Sequence, residues 1–286
     1  MEVFDTPHGI RRWADERRRR ERSVGLVPTM GALHDGHLAL IAEAKRRTDD
    51  VVMSIFVNPL QFNLATDFDR YPRPIDDDLA AAATAGVAAV YAPTAATMYP
   101  PGFQTHVEPG PLAAAFEGEH RPGHFRGVTT VVSKLFAAVH ADVAVFGQKD
   151  AQQLAIIRRM SLDLDMGTVL VALPTVREAD GVAMSSRNRL LSPGERIAAR
   201  CICRGLTAAA RHHAAGERDG AVIESIVAAE IGSESLARVE YVAAVDPDTF
   251  ERAATITSDA LVVVAAWVGT VRLIDNIGLA ADHTVR

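Results

Sequence analysis

The chain has 286 residues, and its 30 Lys and Arg against 36 Asp and Glu give a formal net charge of -6 at pH 7. This balance argues against a general nucleic-acid-binding protein, because such proteins need a basic surface to displace counterions from phosphate groups. The hydrophobic and charged fractions, 48% and 23%, are typical of a globular protein and exclude a disordered or collagen-like chain.

Neither the cysteines nor the apolar segments indicate an extracellular or membrane protein. Cys201 and Cys203 lie two positions apart in a predicted helix, where their side chains point to different sides, so neither a disulfide framework nor a zinc site is expected. No apolar stretch approaches the roughly 18 residues of a membrane span, and the N-terminal residues lack the apolar core of a signal peptide. We therefore expect a cytoplasmic protein without membrane or nucleic-acid partners.

Residues 1–175 are predicted to form an α/β domain, because short runs rich in Val and Ile alternate with segments of helical periodicity. The predicted strands are Val24–Val27, Val51–Val57, Ala88–Tyr91, Val143–Phe146 and Val169–Leu173. The predicted helices are His37–Arg47, Asp76–Ala85, Val128–Val139 and Ala151–Leu162. Continuous apolar strands that alternate with helices indicate a parallel sheet with helices on both faces. Ligand-binding residues are then expected just beyond the carboxyl ends of the strands.

The first of these strands leads into PTMGALHDGH, which carries two histidines three residues apart. His34 and His37 lie where the positive end of a helix and its unpaired N–H groups are expected to point outward. This arrangement suits a polyphosphate, because the helix dipole and the imidazole N–H groups both attract negative charge. A zinc site is the weaker interpretation, since HDGH lacks the i, i+4 spacing and the glutamate of a helical zinc motif.

Two more strands end in polar residues that are expected at the same edge of the sheet. Asn58 and Gln61 follow the second strand as neutral hydrogen-bonding groups, although Asn-Pro alone is also an ordinary turn signal. After the fourth strand, Gly147 permits close approach of a ligand, Lys149 offers a mobile positive charge and Asp150 could accept from ribose hydroxyls. The plain alternatives are a helix N-cap for Asp150 and a solvated surface charge for Lys149.

From residue 176 onward the pattern predicts a second, smaller α+β domain. Alanine-rich helices are predicted at Pro193–Ala215 and Gly220–Glu230, and strands at Val239–Val245, Leu261–Val268 and Arg272–Ile274. The polar segment that precedes them contains Ser185, Ser186 and Arg187, whose two hydroxyls and guanidinium could close over phosphates. By itself, this composition is also ordinary for a linker.

Three other polar segments allow weaker hypotheses. The acidic run Asp76–Asp78 opens a helix, where complementarity to the helix dipole accounts for most of it, although one carboxylate could hold Mg²⁺. Residues 119–127, EHRPGHFRG, are turn-rich and predict a lid. His212 and His213 lie near the end of a predicted helix and are expected to be solvated.

Taken together and in this order, the motifs resemble the pantothenate synthetase family of pantoate and β-alanine ligases, within the nucleotidyltransferase superfamily whose hallmark is HxGH. The similarity covers essentially the whole chain, ending in RLIDNI at 272–277. HxGH alone identifies only the superfamily, whereas the glutamine-bearing segments and SSRN are more specific. The other matching segments are FVNPLQF at 56–62, YPR at 71–73, RPGHFRGV at 121–128, FGQKDAQQL at 146–154 and READGVAMSSRN at 177–188.

The resemblance implies a Rossmann-like N-terminal domain over residues 1–175, a smaller C-terminal lid domain over residues 176–286, and a homodimer. It also implies a two-step reaction. Pantoate and MgATP first give pantoyl adenylate and pyrophosphate, and β-alanine then displaces AMP to form pantothenate.

The resemblance further implies roles for individual residues. The catalytic set is His34, His37, Lys149 and Arg187. The ATP-binding set is Met30, His37, Gly147, Lys149, Asp150, Val176, Met184, Ser185, Ser186 and Arg187. Gln61 and Gln153 would hold pantoate in a pocket lined by Met30, and Asp77 would assist Mg²⁺.

Two departures and two rival functions complete the sequence-based interpretation. The family commonly shows Glu and Tyr where Gln148 and Ala151 stand, and neither position is assigned to substrate. Another HxGH nucleotidyltransferase, acting on a phosphorylated acceptor, would retain the nucleotide in its product, so amine-dependent release of AMP separates it from a ligase. A non-catalytic nucleotide-binding module is the other rival, for which polar groups at four strand or linker ends would be excessive.

Overall fold

A six-stranded parallel sheet forms the centre of the first of two units in the computed structural model, which describes residues 1–63, 65–257 and 259–279. The first unit comprises Met1–Gln148 and Ile156–Leu173, and the second comprises Lys149–Ala155 and the chain from Pro174 onward. The strands, in the spatial order β1-β4-β3-β2-β5-β6, are β1 (Glu2–Phe4), β2 (Val24–Thr29), β3 (Asp50–Ile55), β4 (Ala89–Tyr91), β5 (Val143–Gly147) and β6 (Val169–Leu173).

Within the described residues, eight α-helices accompany this sheet, and together with it they confirm the predicted α/β class. They are α1 (Pro7–Arg19), α2 (Asp35–Arg47), α3 (Ala65–Arg70), α4 (Ile75–Ala85), α5 (Ala95–Met98), α6 (Glu117–His120), α7 (His124–Val139) and α8 (Ala151–Asp163). Strand β1 was not predicted, because its three residues are too short a run to show a period. The predicted start of α2, His37, is two residues later than the observed start, Asp35.

Burial on both faces explains why the strands are continuous apolar runs. Successive side chains of a strand point to opposite faces of the sheet, and every residue of β3 after Asp50 is buried. Met53 and Ile55 join a buried cluster with Ile41 of α2 and Ala82 of α4. Helices α1 and α7 pack against each other and against β2.

The second unit contains a three-stranded antiparallel sheet in the order β7-β8-β9, with helices packed on it. Its helices are α9 (Pro193–Ala198), α10 (Arg200–Ala214) and α11 (Gly220–Gly232), and its strands are β7 (Ala237–Val245), β8 (Leu261–Val268) and β9 (Val271–Gly278). The predicted last strand, Arg272–Ile274, was too short, because polar Asp275 and Asn276 lie inside β9 as buried residues.

One expectation about this unit is wrong. His213 is only 7% exposed, whereas its neighbour His212 is exposed. Leu206, Ala209 and His213 lie on one face of α10 at i, i+3 and i+7 and are all buried, a spacing that could have been recognised in the sequence. None of the described helices is long and apolar enough to cross a bilayer.

Candidate active site

The first unit carries Gln61 and residues 28–37, here called the histidine segment, at the carboxyl edge of its sheet. Strand β2 lies between β3 and β5, so the segments that leave these three strands begin side by side. Strands β2 and β3 are in register from Val24 opposite Asp50 to Thr29 opposite Ile55, and they therefore end at the same level. The parallel pairing of these strands is what brings their carboxyl ends together at one edge of the sheet.

The turn between β2 and α2 is held by a buried carboxylate. Gly31 and Ala32 both have positive φ, +83° and +52°, and the Asp78 oxygens accept hydrogen bonds from Ala32 N at 2.8 Å and Leu33 N at 2.7 Å. A Cβ on Gly31 would lie 2.7 Å from Asp78 Oδ2, so glycine is required by space as well as by conformation. Asp78 is 3% exposed and is therefore a structural brace of the histidine segment.

His34 and His37 form a reciprocal pair at the start of α2. His34 is the N-cap, and its Nδ1 accepts a hydrogen bond from Gly36 N at 3.2 Å. The Nδ1 of His37 accepts one from His34 N at 3.3 Å, and the two ring centroids are 4.1 Å apart. A ring nitrogen that accepts carries no proton, so in this arrangement both imidazoles are neutral and protonated on Nε2. Each ring then carries its N–H donor at Nε2.

The expectation that unpaired backbone N–H groups point outward from this segment is not met at four positions. Ala32 N and Leu33 N donate to Asp78, Gly36 N donates to His34 Nδ1, and His37 N donates to the carbonyl of His34. These amides already have hydrogen-bond partners within the protein, as buried backbone N–H groups generally do. These four amides are therefore not available to a ligand.

Gln61 and Met30, both assigned to the pantoate pocket, are brought together in the first unit. Gln61 ends a short 3-10 turn, Pro59–Gln61, that Asn58 caps, and it is 8% exposed. Its Nε2 lies 3.1 Å from Met30 Sδ, and its Oε1 accepts a hydrogen bond from Asn58 Nδ2 at 3.0 Å. The Gln61 side chain thus offers a neutral amide to a ligand.

The segment predicted as a lid, residues 119–127, is packed against this turn. His124 is 6% exposed, and its Nδ1 lies 2.9 Å from the backbone oxygen of Gln61, to which Arg121 Nη2 also donates at 3.2 Å. A Cβ on Gly127 would lie 2.4 Å from the carbonyl oxygen of Leu60. These contacts hold the Gln61 backbone in place, and the lid role of residues 119–127 stays a prediction.

In the second unit, Lys149 lies just before α8, and Gln153 lies in the first turn of that helix. Lys149 Nζ is 4.0 Å from Asp150 Oδ1, and the Lys149 side chain is 18% exposed. The backbone oxygen of Lys149 accepts a hydrogen bond from Asn276 Nδ2 of β9 at 2.9 Å, which fixes the main chain at this position. Gln153 is half-buried in the first turn of the helix.

The segment from Val176 to Arg187 folds back on itself and brings several of the predicted ATP-binding residues together. Met184 N donates to the carbonyl of Val176 at 2.9 Å, and Arg177 pairs with Ala183 in an isolated antiparallel bridge. Ser185 then caps a 3-10 helix, Ser186–Leu190, by accepting from Arg187 N at 3.2 Å. Ser185 and Arg187 are half-buried.

A buried ion pair that was not predicted from the sequence anchors this segment to β9. Arg177 donates to both oxygens of Asp275, at 2.7 and 3.1 Å, and also to the carbonyls of Gly181 and Asn276. Burial raises the pKa of the Asp275 carboxyl, and the charges of Arg177 and Lys149 oppose that rise. Asp275 and Asn276 are adjacent, so one short stretch of β9 holds both the Arg177 segment and the Lys149 backbone. In the sequence, this pair is indicated only by the opposite charges of Arg177 in READ and Asp275 in RLIDN.

Asp77, chosen for Mg²⁺, is exposed, whereas its neighbour Asp78 is buried. Among the described residues, no group of three or more His, Cys, Asp or Glu could hold a metal ion. Both oxygens of Asp78 are engaged by backbone N–H groups. A fully protein-ligated magnesium site therefore does not fit the described donors, whereas a Mg²⁺ that keeps its waters and arrives with phosphates needs only one or two carboxylates.

Comparison with known proteins gives a single consistent result. A family model described as pantoate-beta-alanine ligase matches residues 2–278. The chain is 49% identical over 281 residues to "Pantothenate synthetase 1" of Bradyrhizobium diazoefficiens, covering 98% of this chain and 99% of that protein.

Solved structures agree with the sequence comparison. The pantothenate synthetase of Thermus thermophilus superposes with a TM-score of 0.92 at 41% identity, covering 98% of this chain and 100% of that chain. A pantoate-beta-alanine ligase of Francisella tularensis, complexed with beta-gamma ATP and beta-alanine, superposes with a TM-score of 0.80 at 32% identity, covering 98% of each chain.

Proposed function

The chain belongs to the pantoate–β-alanine ligase family and is an amide-forming ligase that condenses pantoate with β-alanine using ATP; we propose that the condensation passes through a pantoyl adenylate. In the first step, a pantoate carboxylate oxygen bonds to the α-phosphorus and pyrophosphate leaves. In the second, the β-alanine nitrogen bonds to the carbonyl carbon and AMP leaves.

The observation that carries the proposal is the neutral donor set in the first unit. Gln61 offers a neutral amide beside Met30. A carboxylate nucleophile is already ionised at pH 7, so it needs alignment rather than a general base. Gln61, and Gln153 with it, can align pantoate without pairing its charge and weakening it as a nucleophile.

The phosphates, in contrast, need positive charges and hydrogen-bond donors. Lys149 and Arg187 carry the positive charges, and the hydroxyls of Ser185 and Ser186 and the imidazole N–H groups of His34 and His37 donate to oxygens that become more negative in the transition state. Gly147 and Asp150 are assigned to the ribose, and Val176 and Met184 to the nucleotide. A Cβ on Gly147 would meet no described atom within 4 Å, which leaves room for a ligand at the backbone.

Magnesium belongs to the substrate in this proposal. Mg²⁺ neutralises ATP phosphates and enters with them, and the exposed Asp77 is the carboxylate assigned to assist it. The proposal also includes a homodimer and a lid role for residues 176–286, which rest on the family resemblance. A cytoplasmic location, expected from the cysteine usage and the N-terminal sequence, is part of it as well.

The second step requires an uncharged nitrogen. The ammonium of β-alanine has a pKa of roughly 10 and must lose its proton before it attacks. No side chain is assigned as its base, and the minor neutral amine is the proposed nucleophile.

The test is coupled detection of AMP with ATP and Mg²⁺, omitting pantoate and β-alanine in turn. We expect AMP only when both are present, and exchange of labelled pyrophosphate into ATP when pantoate alone is present. Release of pyrophosphate without amine-dependent AMP would instead identify a nucleotidyltransferase that retains the nucleotide in its product. Absence of exchange with pantoate would contradict the adenylate.

A further inference from the structure

The orientation of the Gln61 amide is determined by a chain of hydrogen bonds that begins at the backbone. Asn58 is 1% exposed, and its side-chain amide is surrounded by polar partners. The N–H of Leu60 can only donate, so the Asn58 atom 3.3 Å from it is the oxygen, Oδ1. The carbonyl of Gly127 can only accept, so the atom 3.0 Å from it is the nitrogen, Nδ2.

This assignment fixes the two remaining contacts. The Tyr99 hydroxyl lies 2.8 Å from Asn58 Oδ1 and must therefore donate to it. The Gln61 atom 3.0 Å from Asn58 Nδ2 must accept and is Oε1. Gln61 Nε2 is then the atom beside Met30 Sδ, a weak acceptor that a substrate oxygen would outcompete.

We propose that Tyr99 is a positioning residue which, through Asn58, holds the Gln61 amide with its N–H groups toward pantoate. The inference rests on the proposed function and adds to it a direction: Gln61 donates, and the pantoate group that meets it is an acceptor oxygen. A Gln61 side chain rotated by half a turn would present Oε1 to that oxygen, and two acceptors repel each other.

The surroundings of Tyr99 suit a permanent donor. Burial raises the pKa of the Tyr99 phenol, which favours the protonated form that donates. The ring is held by an edge contact with Phe56, at 6.0 Å between centroids, and by Phe103 at 5.0 Å. A phenylalanine at this position would keep both ring contacts and lose only the hydroxyl.

The test is pantoate-dependent pyrophosphate exchange by Tyr99→Phe. We expect the KM for pantoate to rise about fivefold, the effect of losing one neutral hydrogen bond, while the KM for ATP is unchanged. Asn58→Asp is expected to raise the KM for pantoate further, because it places an oxygen against both the Gly127 carbonyl and Gln61 Oε1. Tyr91→Phe, at a buried tyrosine outside this chain of hydrogen bonds, is the matched control and should behave as the wild type.

A double-mutant cycle separates positioning from general support of the fold. If the Tyr99 hydroxyl acts through Gln61, Tyr99→Phe should have no further effect on kcat/KM for pantoate in a Gln61→Ala background. An unchanged KM for pantoate in Tyr99→Phe, an equal rise in the KM for ATP, or full additivity with Gln61→Ala would each overturn the inference. Failure of the wild-type protein to catalyse exchange would instead reject the proposed function.

Discussion

At the scale of single residues, the site combines groups assigned to touch the substrates with groups that hold them. His37, Lys149 and Arg187 belong to the first kind. Asp78, Asn58 and Asn276 belong to the second, because they form hydrogen bonds with backbone atoms or side chains of the site segments. The two kinds of residue predict different consequences of mutation.

The first prediction concerns the donors to the phosphates. His37→Ala, Lys149→Ala and Arg187→Ala should each slow adenylate formation by at least ~10²-fold, because one donor to the transition state is worth about 3 kcal/mol. The measurement is the burst of pyrophosphate in quenched flow, with the melting temperature as a check on folding. His212→Ala, at an exposed histidine, is the control. A normal burst rate and amplitude would remove that residue from the catalytic set.

The second prediction uses two adjacent aspartates. Asp78→Asn should lower the free energy of unfolding by about 1–3 kcal/mol, because one of its two backbone donors would face an amide nitrogen instead of a carboxylate oxygen. Asp77→Asn, at an exposed position in the first turn of α4, should lower stability by less than about 1 kcal/mol and raise the Mg²⁺ concentration needed for half-maximal activity. Chemical denaturation and Mg²⁺ titration measure the two effects. Equal stability of the two variants would contradict the role assigned to Asp78.

At the scale of elements, the contact between α7 and the turn Pro59–Gln61 decides where Gln61 lies. Gly127 allows the helix to approach the turn so closely that the carbonyl of Leu60 occupies the space of a Cβ. Thr129, two residues further along α7, is fully buried, and its hydroxyl lies 2.6 Å from the carbonyl oxygen of Val107, outside the helix. Helix α7 is thus fixed on both sides of the contact.

The third prediction follows from this packing. Gly127→Ala should destabilise the protein by about 1–3 kcal/mol and raise the KM for pantoate, because backbone atoms must move apart. Gly147→Ala is the matched substitution, and since a Cβ there meets no described atom, it should leave the melting temperature unchanged and weaken ATP binding. Thermal unfolding and the two KM values measure these effects. If both variants lost stability equally, the distinction between packing and ligand space would be wrong.

At the scale of the whole molecule, buried tyrosines link stability to alkaline pH. Burial raises the pKa of the Tyr91 phenol to about 12, and it also raises that of Tyr99. A phenol whose pKa is higher in the folded protein binds its proton more tightly there than in the unfolded chain. The contribution of Tyr91 to stability is complete below its unfolded pKa of about 10 and is lost as the pH rises through about 12.

The fourth prediction is therefore a fall in the free energy of unfolding between about pH 10 and pH 12, measured by urea denaturation at fixed pH. Tyrosinate absorbance should show part of the tyrosine content ionising only with unfolding. In Tyr91→Phe the fall should be smaller. A free energy of unfolding that stays constant across this range would contradict the prediction.

The sequence by itself determined the fold class, most of the strands and helices, and the family. Strands buried on both faces must be continuous apolar runs, and parallel strands must alternate with helices, so these features are visible in local composition. The same logic placed His34, His37 and Gln61 after strands whose carboxyl ends are neighbours, and the structure has β2 and β3 side by side.

Only the tertiary structure decided which residues hold these side chains in place. Asp78 contacts Ala32 and Leu33 across 46 and 45 positions, Arg177 contacts Asp275 across 98, and His124 contacts Gln61 across 63. No local period marks such pairs, because each depends on two segments that meet only when the chain folds. Exposure is decided in the same way: Asp77 and Asp78 are chemically identical neighbours, and the rotation of one helix buries the second and leaves the first exposed.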